Sequence, residues 1–135
     1  MSKADGLNIL VVDDEKIVRH TLTAFLKRVG CRVENAEDGI SGLRKLESGD
    51  YDAAFVDFRM PGLDGIELLR RIKKVRTDIR IIIISGHASF ETQQEAMQEG
   101  AFHYLQKPFK FDSIQELAEK LAARKPGADK EELEK

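Results

Sequence analysis

The chain has 135 residues, of which 22 are basic and 24 acidic, and its formal net charge is −2. This length fits one domain, because a chain of this size buries roughly two-thirds of its unfolded surface. The near balance of charge excludes the basic surface of sequence-independent DNA or RNA binding, so we expect no direct nucleic acid binding. No run approaches the ~18 apolar residues that a membrane span requires, so we expect no membrane association.

Cysteine usage and the first residues both favour a cytoplasmic location. Cys31 is the only cysteine, so no internal disulfide can form, and a reducing compartment suits the chain. Residues 1–6 lack the apolar core of a signal peptide. The sequence therefore predicts a soluble cytoplasmic domain.

Short apolar runs alternate with helix-periodic segments from the first residues onward. Residues 7–12 predict a strand, and apolar side chains then recur every three or four positions until Gly30, which predicts an amphipathic helix. Residues 31–35 form a more polar run that suits an edge strand. Residues 38–47 predict a second helix, and residues 51–56 predict a third strand.

The second half of the chain continues the alternation. A turn-rich loop at residues 61–65 precedes a third helix. Residues 80–84 predict a fourth strand, because the isoleucines at 81–84 form a continuous β-branched run that is typical of a strand covered on both faces. Ser89 is predicted to cap a fourth helix over residues 90–99. Residues 102–106 predict the fifth strand.

A fifth helix, which Ser113 is predicted to cap, completes the pattern. One domain is predicted over residues 1–124. Residues 125–135 are predicted to be a charged tail or linker, or the first turns of a further helix. Strands that alternate with helices indicate an α/β fold with a doubly wound parallel sheet. We expect five strands in the flavodoxin-like order 2-1-3-4-5, together with five helices.

Three acids and one lysine stand at the ends of predicted strands. Asp13 and Asp14 follow the first strand, Asp57 follows the third, and Lys107 follows the fifth. Ligands of open parallel sheets bind at the carboxyl ends of the strands where the strand order reverses, here between the first and third. Two carboxylates ~4 Å apart repel by about 4 kcal/mol near a protein surface, so such a cluster favours a hard cation. The alternative is that residues 13–15 only cap the first helix, which requires a single acid.

Four motifs resemble those of the receiver domain of two-component response regulators, over essentially residues 7–124. They are VVDDE at 11–15, VDFRMPGLDG at 56–65, ISG at 84–86 and YLQKPF at 104–109. The resemblance implies a phosphorylation-dependent signalling switch of a phosphorelay. Asp57 would accept a phosphoryl group from a sensor histidine kinase or a small phosphodonor. Such a domain is not an enzyme acting on a separate substrate, since it catalyses only its own phosphoryl transfer and dephosphorylation.

The resemblance also implies a Mg²⁺ site. Asp14, Asp57 and the backbone carbonyl of Arg59 would ligate the ion, and Asp13 would hold a metal-bound water. Lys107 would pair with Asp57 at rest and with a phosphoryl oxygen afterwards. The resemblance further implies a cis peptide bond between Lys107 and Pro108.

Two further side chains would respond to phosphorylation, and two would tune how long it lasts. By resemblance, the Ser85 hydroxyl would donate to a phosphoryl oxygen, and Tyr104 would swing inward in response. The side chains of Arg59 and His87 would tune the lifetime of the acyl phosphate. A turn serine and a partly exposed strand tyrosine are the alternatives for Ser85 and Tyr104.

The signal is expected on the face formed by the fourth helix, fifth strand and fifth helix. That face would control an output domain or a partner protein, or would form a phosphorylation-dependent homodimer. The run at residues 100–109 is similar to receivers of the nitrogen-regulator type.

Other functions fit the sequence less well. A phosphatase of the haloacid dehalogenase type needs an Asp two residues after its nucleophile, whereas Arg59 stands two residues after Asp57. A flavin carrier would place its phosphate against three acids, and no glycine-rich phosphate loop is evident there. An interaction domain that is never phosphorylated is the remaining alternative.

Overall fold

The computed structural model describes residues 4–87 and 89–123, so the tail predicted for residues 125–135 lies outside the described residues. Strands and helices alternate five times along this part of the chain. The strands are β1 (Asn8–Val12), β2 (Arg32–Ala36), β3 (Ala53–Asp57), β4 (Arg80–Ser85) and β5 (His103–Gln106). The helices are α1 (Lys16–Arg28), α2 (Gly39–Ser48), α3 (Gly65–Val75), α4 (Phe90–Gln98) and α5 (Phe111–Ala123).

The strands form one parallel sheet in the order β2-β1-β3-β4-β5, which confirms the predicted topology. The register pairs Val12 with Val56 and Asp57 with Ile84. The carboxyl ends of these strands therefore lie at one edge of the sheet, next to the loops that lead into the helices.

Helices cover both faces of the sheet, as a doubly wound fold requires. Successive strand residues point to opposite faces. Leu10 and Val12 pack with residues of α2 and α3, whereas Ile9 and Val11 pack with residues of α1 and α5. Every residue of β4 is buried, which explains its unbroken apolar run. Among the described helices, none combines the length and apolar character needed to cross a membrane.

Side chains that accept backbone N–H groups define where three of the helices begin. Ser89 accepts the N–H of Thr92 at the start of α4, as predicted. Asp38 and Asp64 cap α2 and α3 in the same way. These caps fix the loops that precede each helix, because they satisfy N–H groups that lack partners within the helix.

The predicted cap at Ser113 is wrong. Helix α5 begins at Phe111, so Ser113 lies within its first turn. The N–H groups of Ser113 and Ile114 both donate to the Lys110 carbonyl, at 3.1 and 3.2 Å. The backbone therefore already forms a helical turn before Ser113, and a residue inside a turn cannot act as its cap.

Gly65 permits the first residue of α3 to lie against the backbone of β3. A Cβ added at Gly65 would overlap the carbonyl oxygen of Asp57, although the backbone of Gly65 is not in the left-handed region. Its role is thus close approach, and it places the start of α3 beside the end of the strand that carries Asp57.

We predict that Gly65→Ala lowers the free energy of unfolding by about 1–3 kcal/mol, because two backbone segments must separate to admit a methyl group. Urea unfolding followed by circular dichroism measures the change. Gly86→Ala is the matched control, since its Cβ would meet no atom within 4 Å. Equal stability of the two variants would contradict the close-approach argument.

Candidate functional site

The carboxyl ends of β1 and β3 bring three acids together. Asp13 and Asp14 directly follow β1, and Asp57 is the last residue of β3. One carboxylate oxygen from each lies within 4.8 Å of the others. Asp13 and Asp57 are buried, whereas Asp14 is exposed. Residues from distant parts of the chain thus form one acidic cluster.

The Lys107 ammonium joins this cluster from the end of β5. Its Nζ lies 2.9 Å from Asp13 Oδ2, 3.2 Å from Asp57 Oδ1 and 3.4 Å from Glu15 Oε1. The Lys107 N–H donates to the Ser85 carbonyl at 2.8 Å, and the peptide bond between Lys107 and Pro108 is cis. One ammonium faces several carboxylates, so the cluster keeps net negative charge.

Helix capping accounts for only part of the acidic run at residues 13–15. Glu15 occupies the N-cap position of α1, but its side chain makes no capping hydrogen bond. Asp13 Oδ1 instead accepts the N–H of Glu15 at 2.8 Å. A local hydrogen bond at the helix start therefore accounts for one carboxylate oxygen of Asp13. It does not explain why acidic residues also stand at positions 14 and 57.

Burial and mutual repulsion make the acids harder to ionise. Burial, followed by the charge of Asp13, raises the pKa of Asp57 to about 6, although Lys107 opposes this rise. Burial also raises the pKa of Asp13. Burial by itself would lower the pKa of Lys107, but its interactions with Asp13 and Asp57 outweigh burial and raise that pKa. A bound cation would relieve the repulsion.

The chemistry of the donors suits a hard cation. The three acids of the cluster offer only carboxylate oxygens, and among the described residues no histidine or cysteine has a ligand atom grouped with them. Oxygen donors favour Mg²⁺ or Ca²⁺, whereas structural and catalytic zinc sites use nitrogen or sulfur ligands. The residues present therefore fit a magnesium ion.

A pocket of about 270 Å³ opens over the acids. Its lining includes most of the residues singled out from the sequence: Asp14, Asp57, Arg59, Ser85, His87 and Lys107. Ser85, the last residue of β4, is buried, and its Oγ accepts the N–H of His87 at 3.1 Å. Arg59 and His87 are exposed at the rim of the pocket.

Tyr104 does not line this pocket. It lies in β5 with only 9% of its surface exposed, and it packs into the core beneath α4. Its hydroxyl lies 3.1 Å from Thr92 Oγ1. Thr92 also forms a reciprocal capping box with Ser89 at the start of α4. The Tyr104 hydroxyl therefore reaches the first turn of α4.

Two contacts at or near the site were missed from the sequence. Glu15 contacts Lys107, but it follows two other acids at a helix start, and the sequence gives it no role of its own in the site. Thr92 contacts Tyr104, and its spacing from Ser89 signals a helix start without indicating β5. No pattern of neighbouring residues predicts either contact, because each contact joins separate elements of the fold.

Comparison with known proteins gives a consistent result over most of the chain. The response regulator receiver domain family matches residues 9–119. The transcriptional regulatory protein ZraR of Klebsiella oxytoca is 39% identical over 119 residues, which cover 87% of this chain and 27% of ZraR. The DNA-binding transcriptional regulator NtrC of Azospirillum brasilense is 37% identical over 83% of this chain and 23% of NtrC. The chain thus spans about a quarter of the length of these relatives.

A solved structure shows the same similarity. The chain superposes on the Thermotoga maritima response regulator TrrA, which was solved in complex with Mg²⁺ and BeF, with a TM-score of 0.78. The two are 35% identical, and the match covers 85% of this chain and 98% of TrrA.

The raised pKa of Asp57 predicts how stability changes with pH in the absence of divalent cations. Between pH 4 and 6 the folded chain keeps a proton on Asp57 that the unfolded chain releases, so the free energy of unfolding falls as pH rises. A shift from 3.8 to about 6 corresponds to a loss of at most about 3 kcal/mol. Asparagine does not ionise, so the free energy of unfolding of Asp57→Asn should not show this decrease. It should rise relative to that of the wild type as pH increases from 4 to 7.

Urea unfolding in EDTA at several pH values measures this difference. Asp64→Asn is the control, because Asp64 is an exposed helix cap and asparagine caps equally well. A stability difference between the wild type and Asp57→Asn that stays constant from pH 4 to 7 would contradict the prediction.

Proposed function

Because this chain belongs to the response regulator receiver domain family, we propose that it acts as a switch controlled by phosphorylation of Asp57. The observation that supports this proposal is the convergence of Asp57 with Asp13, Asp14 and Lys107 at the carboxyl ends of the strands. The domain would act on itself alone, so its only catalysis would be its own phosphoryl transfer and dephosphorylation.

The proposed transfer is an in-line displacement at phosphorus. A carboxylate oxygen of Asp57 forms the new oxygen–phosphorus bond. The bond from phosphorus to the donor's nitrogen or oxygen breaks, and its electron pair leaves with the donor. Lys107, now 3.2 Å from Asp57 Oδ1, is placed to pair with the incoming phosphoryl oxygens. At neutral pH most Asp57 side chains are ionised, as a nucleophile must be.

In this proposal Asp14, Asp57 and the carbonyl oxygen of Arg59 would hold Mg²⁺, and Asp13 would hold a water bound to the ion. When bound, Mg²⁺ would neutralise charge shared by the carboxylates and the phosphoryl oxygens. The exposed Asp14 and the lining position of Arg59 leave these groups accessible from solvent. The magnesium complex of TrrA, a relative by sequence and fold, also supports this choice of ion.

Ser85 and Tyr104 are the proposed switch residues, and Arg59 and His87 the proposed rim residues that tune the acyl phosphate lifetime. The Ser85 hydroxyl lies at the pocket and accepts the N–H of His87, at the start of the loop that leads to α4. A hydroxyl that turns toward a phosphoryl oxygen would draw this loop inward. Tyr104 reaches the start of the same helix through Thr92, so both residues act on α4.

The signal would therefore appear on the α4-β5-α5 face, to control an output domain or a partner protein, or to form a homodimer. We propose a sensor histidine kinase as the phosphodonor, because the relatives ZraR and NtrC are regulatory proteins of the same family. Their greater length also supports an output domain. A cytoplasmic location belongs to this proposal, since a phosphorelay draws on the ATP of that compartment.

Intact-mass analysis after treatment with acetyl phosphate tests the proposed function. We expect the wild type to gain the mass of one phosphoryl group in Mg²⁺ and not in EDTA, because the acids repel the anionic donor without a cation. Asp57→Asn should gain nothing, since its amide is not a nucleophile.

Asp64→Asn is the matched control, because Asp64 lies in the same strand-to-helix connection but caps α3 outside the pocket. It should be phosphorylated like the wild type. Phosphorylation of Asp57→Asn to the wild-type level would disprove the assignment of the acceptor.

Ser85→Ala should uncouple the pocket from the α4-β5-α5 face. In the wild type, beryllofluoride with Mg²⁺ is expected to shift amide NMR signals of α4 and β5, because the Ser85 hydroxyl moves toward the bound anion. The shifts should be much smaller in Ser85→Ala. Ser48→Ala is the control, since Ser48 is an exposed serine on α2. Equal shifts in Ser85→Ala and the wild type would refute this linkage.

A further inference from the structure

Arg19 is a buried cation beside the acidic cluster. It lies on α1 with 8% of its surface exposed, and a buried guanidinium is costly unless its N–H groups are bonded. Its Nη1 donates to the main-chain carbonyl of Asp13 at 2.7 Å. Its Nη2 lies 3.8 Å from Glu37 Oε1, but the Glu37 side chain is 81% exposed, so this pair contributes little. The principal partner of Arg19 is therefore the Asp13 carbonyl.

The Asp13 carbonyl lies where the chain leaves the sheet. Strand β1 ends at Val12, and the Asp13 N–H donates to the Ala36 carbonyl at 3.2 Å. The carbonyl of Asp13 and the N–H of Asp14 belong to one planar peptide unit. The hydrogen bond from Arg19 to that carbonyl restrains the orientation of this peptide unit. The peptide unit in turn sets the direction of the Asp14 side chain.

Asp14 depends on this backbone restraint more than Asp13 does. The Asp13 carboxylate accepts the Glu15 N–H and faces the Lys107 ammonium. The Asp14 carboxylate is exposed, and no hydrogen bond or ion pair to another described residue fixes it. The direction of the Asp14 side chain is thus set by the peptide unit that Arg19 holds.

From these contacts we infer that Arg19 is a positioning residue that aims the Asp14 carboxylate at Asp57 for divalent cation binding. The inference rests on the proposed function, because it concerns a ligand that Asp14 supplies to Mg²⁺. Arg19 acts through the Asp13–Asp14 peptide and not on the phosphoryl group. Residues that orient metal ligands typically contribute about 10- to 100-fold to metal affinity.

The test compares Arg19→Met with Arg80→Met. Arg80 is also 8% exposed, and its Nη1 donates to the Leu121 carbonyl at 2.6 Å, while Ser85 and the pocket lie at the other end of β4. Both variants lose a buried bond between a guanidinium and a carbonyl, so both should unfold at lower urea concentration. Only Arg19→Met should raise the Mg²⁺ dissociation constant, by about 10-fold, in an NMR titration with magnesium chloride.

A kinetic measurement separates positioning from a direct role. At saturating Mg²⁺ the rate of phosphorylation of Arg19→Met by acetyl phosphate should return to within about twofold of the wild type, because only cation affinity is affected. A rate that stays low at saturating Mg²⁺ would overturn the inference. Should Arg19→Met fail to fold, Arg19→Gln replaces it with the same expected and contradicting results, since the Gln amide ends two bonds short of the Nη1 position that contacts the Asp13 carbonyl.

The remaining outcomes distinguish this inference from the proposed function. An unchanged Mg²⁺ dissociation constant in Arg19→Met, or an equal rise in Arg80→Met, overturns the inference and leaves the proposed function intact. Failure of the wild type to bind Mg²⁺ overturns the proposed function and the inference with it.

Discussion

Repulsion among carboxylates held within 4.8 Å of one another is the constraint on which the site depends. At that separation a pair repels by about 3–4 kcal/mol near a protein surface. Lys107 offsets only part of this repulsion, because a single ammonium serves Asp13, Asp57 and Glu15. Burial, followed by the part of this repulsion that remains, raises the pKa of Asp57. The site therefore favours a group that brings positive charge.

The same sheet connects the acids with a weakly attached helix. Ala96 is the only buried residue among those described in α4, so few apolar contacts hold this helix in place. Ser85 at the end of β4 and Tyr104 in β5 both lie near its start, and Thr92 bonds to the Tyr104 hydroxyl. Few buried side chains thus hold α4, and its first turn is joined to β5 by the contact between the Thr92 and Tyr104 hydroxyls.

The structure also shows where sequence patterns lose precision. Continuous apolar runs located the central strands β1, β3 and β4, because strands covered on both faces are mostly apolar. The edge strands β2 and β5 are partly exposed and more polar, so the alternation with the predicted helices located them. The sequence does not locate the first residue of a helix as well, since a serine near the start of a helix can cap it or lie inside its first turn. Ser89 caps α4, whereas Ser113 lies within α5, and only the hydrogen bonds to the Lys110 carbonyl distinguish the two cases.

The sequence by itself determined the alternation of strands and helices and the acids at the strand ends, because local periodicity and motif order are properties of neighbouring residues. It could not determine the contact of Glu15 with Lys107 or the bond from Arg19 to the Asp13 carbonyl. Nor could it indicate that Tyr104 is buried against Thr92 and lies apart from the pocket. These features depend on how separate strands and helices pack, and packing distances are set only when the sheet and its two layers of helices assemble.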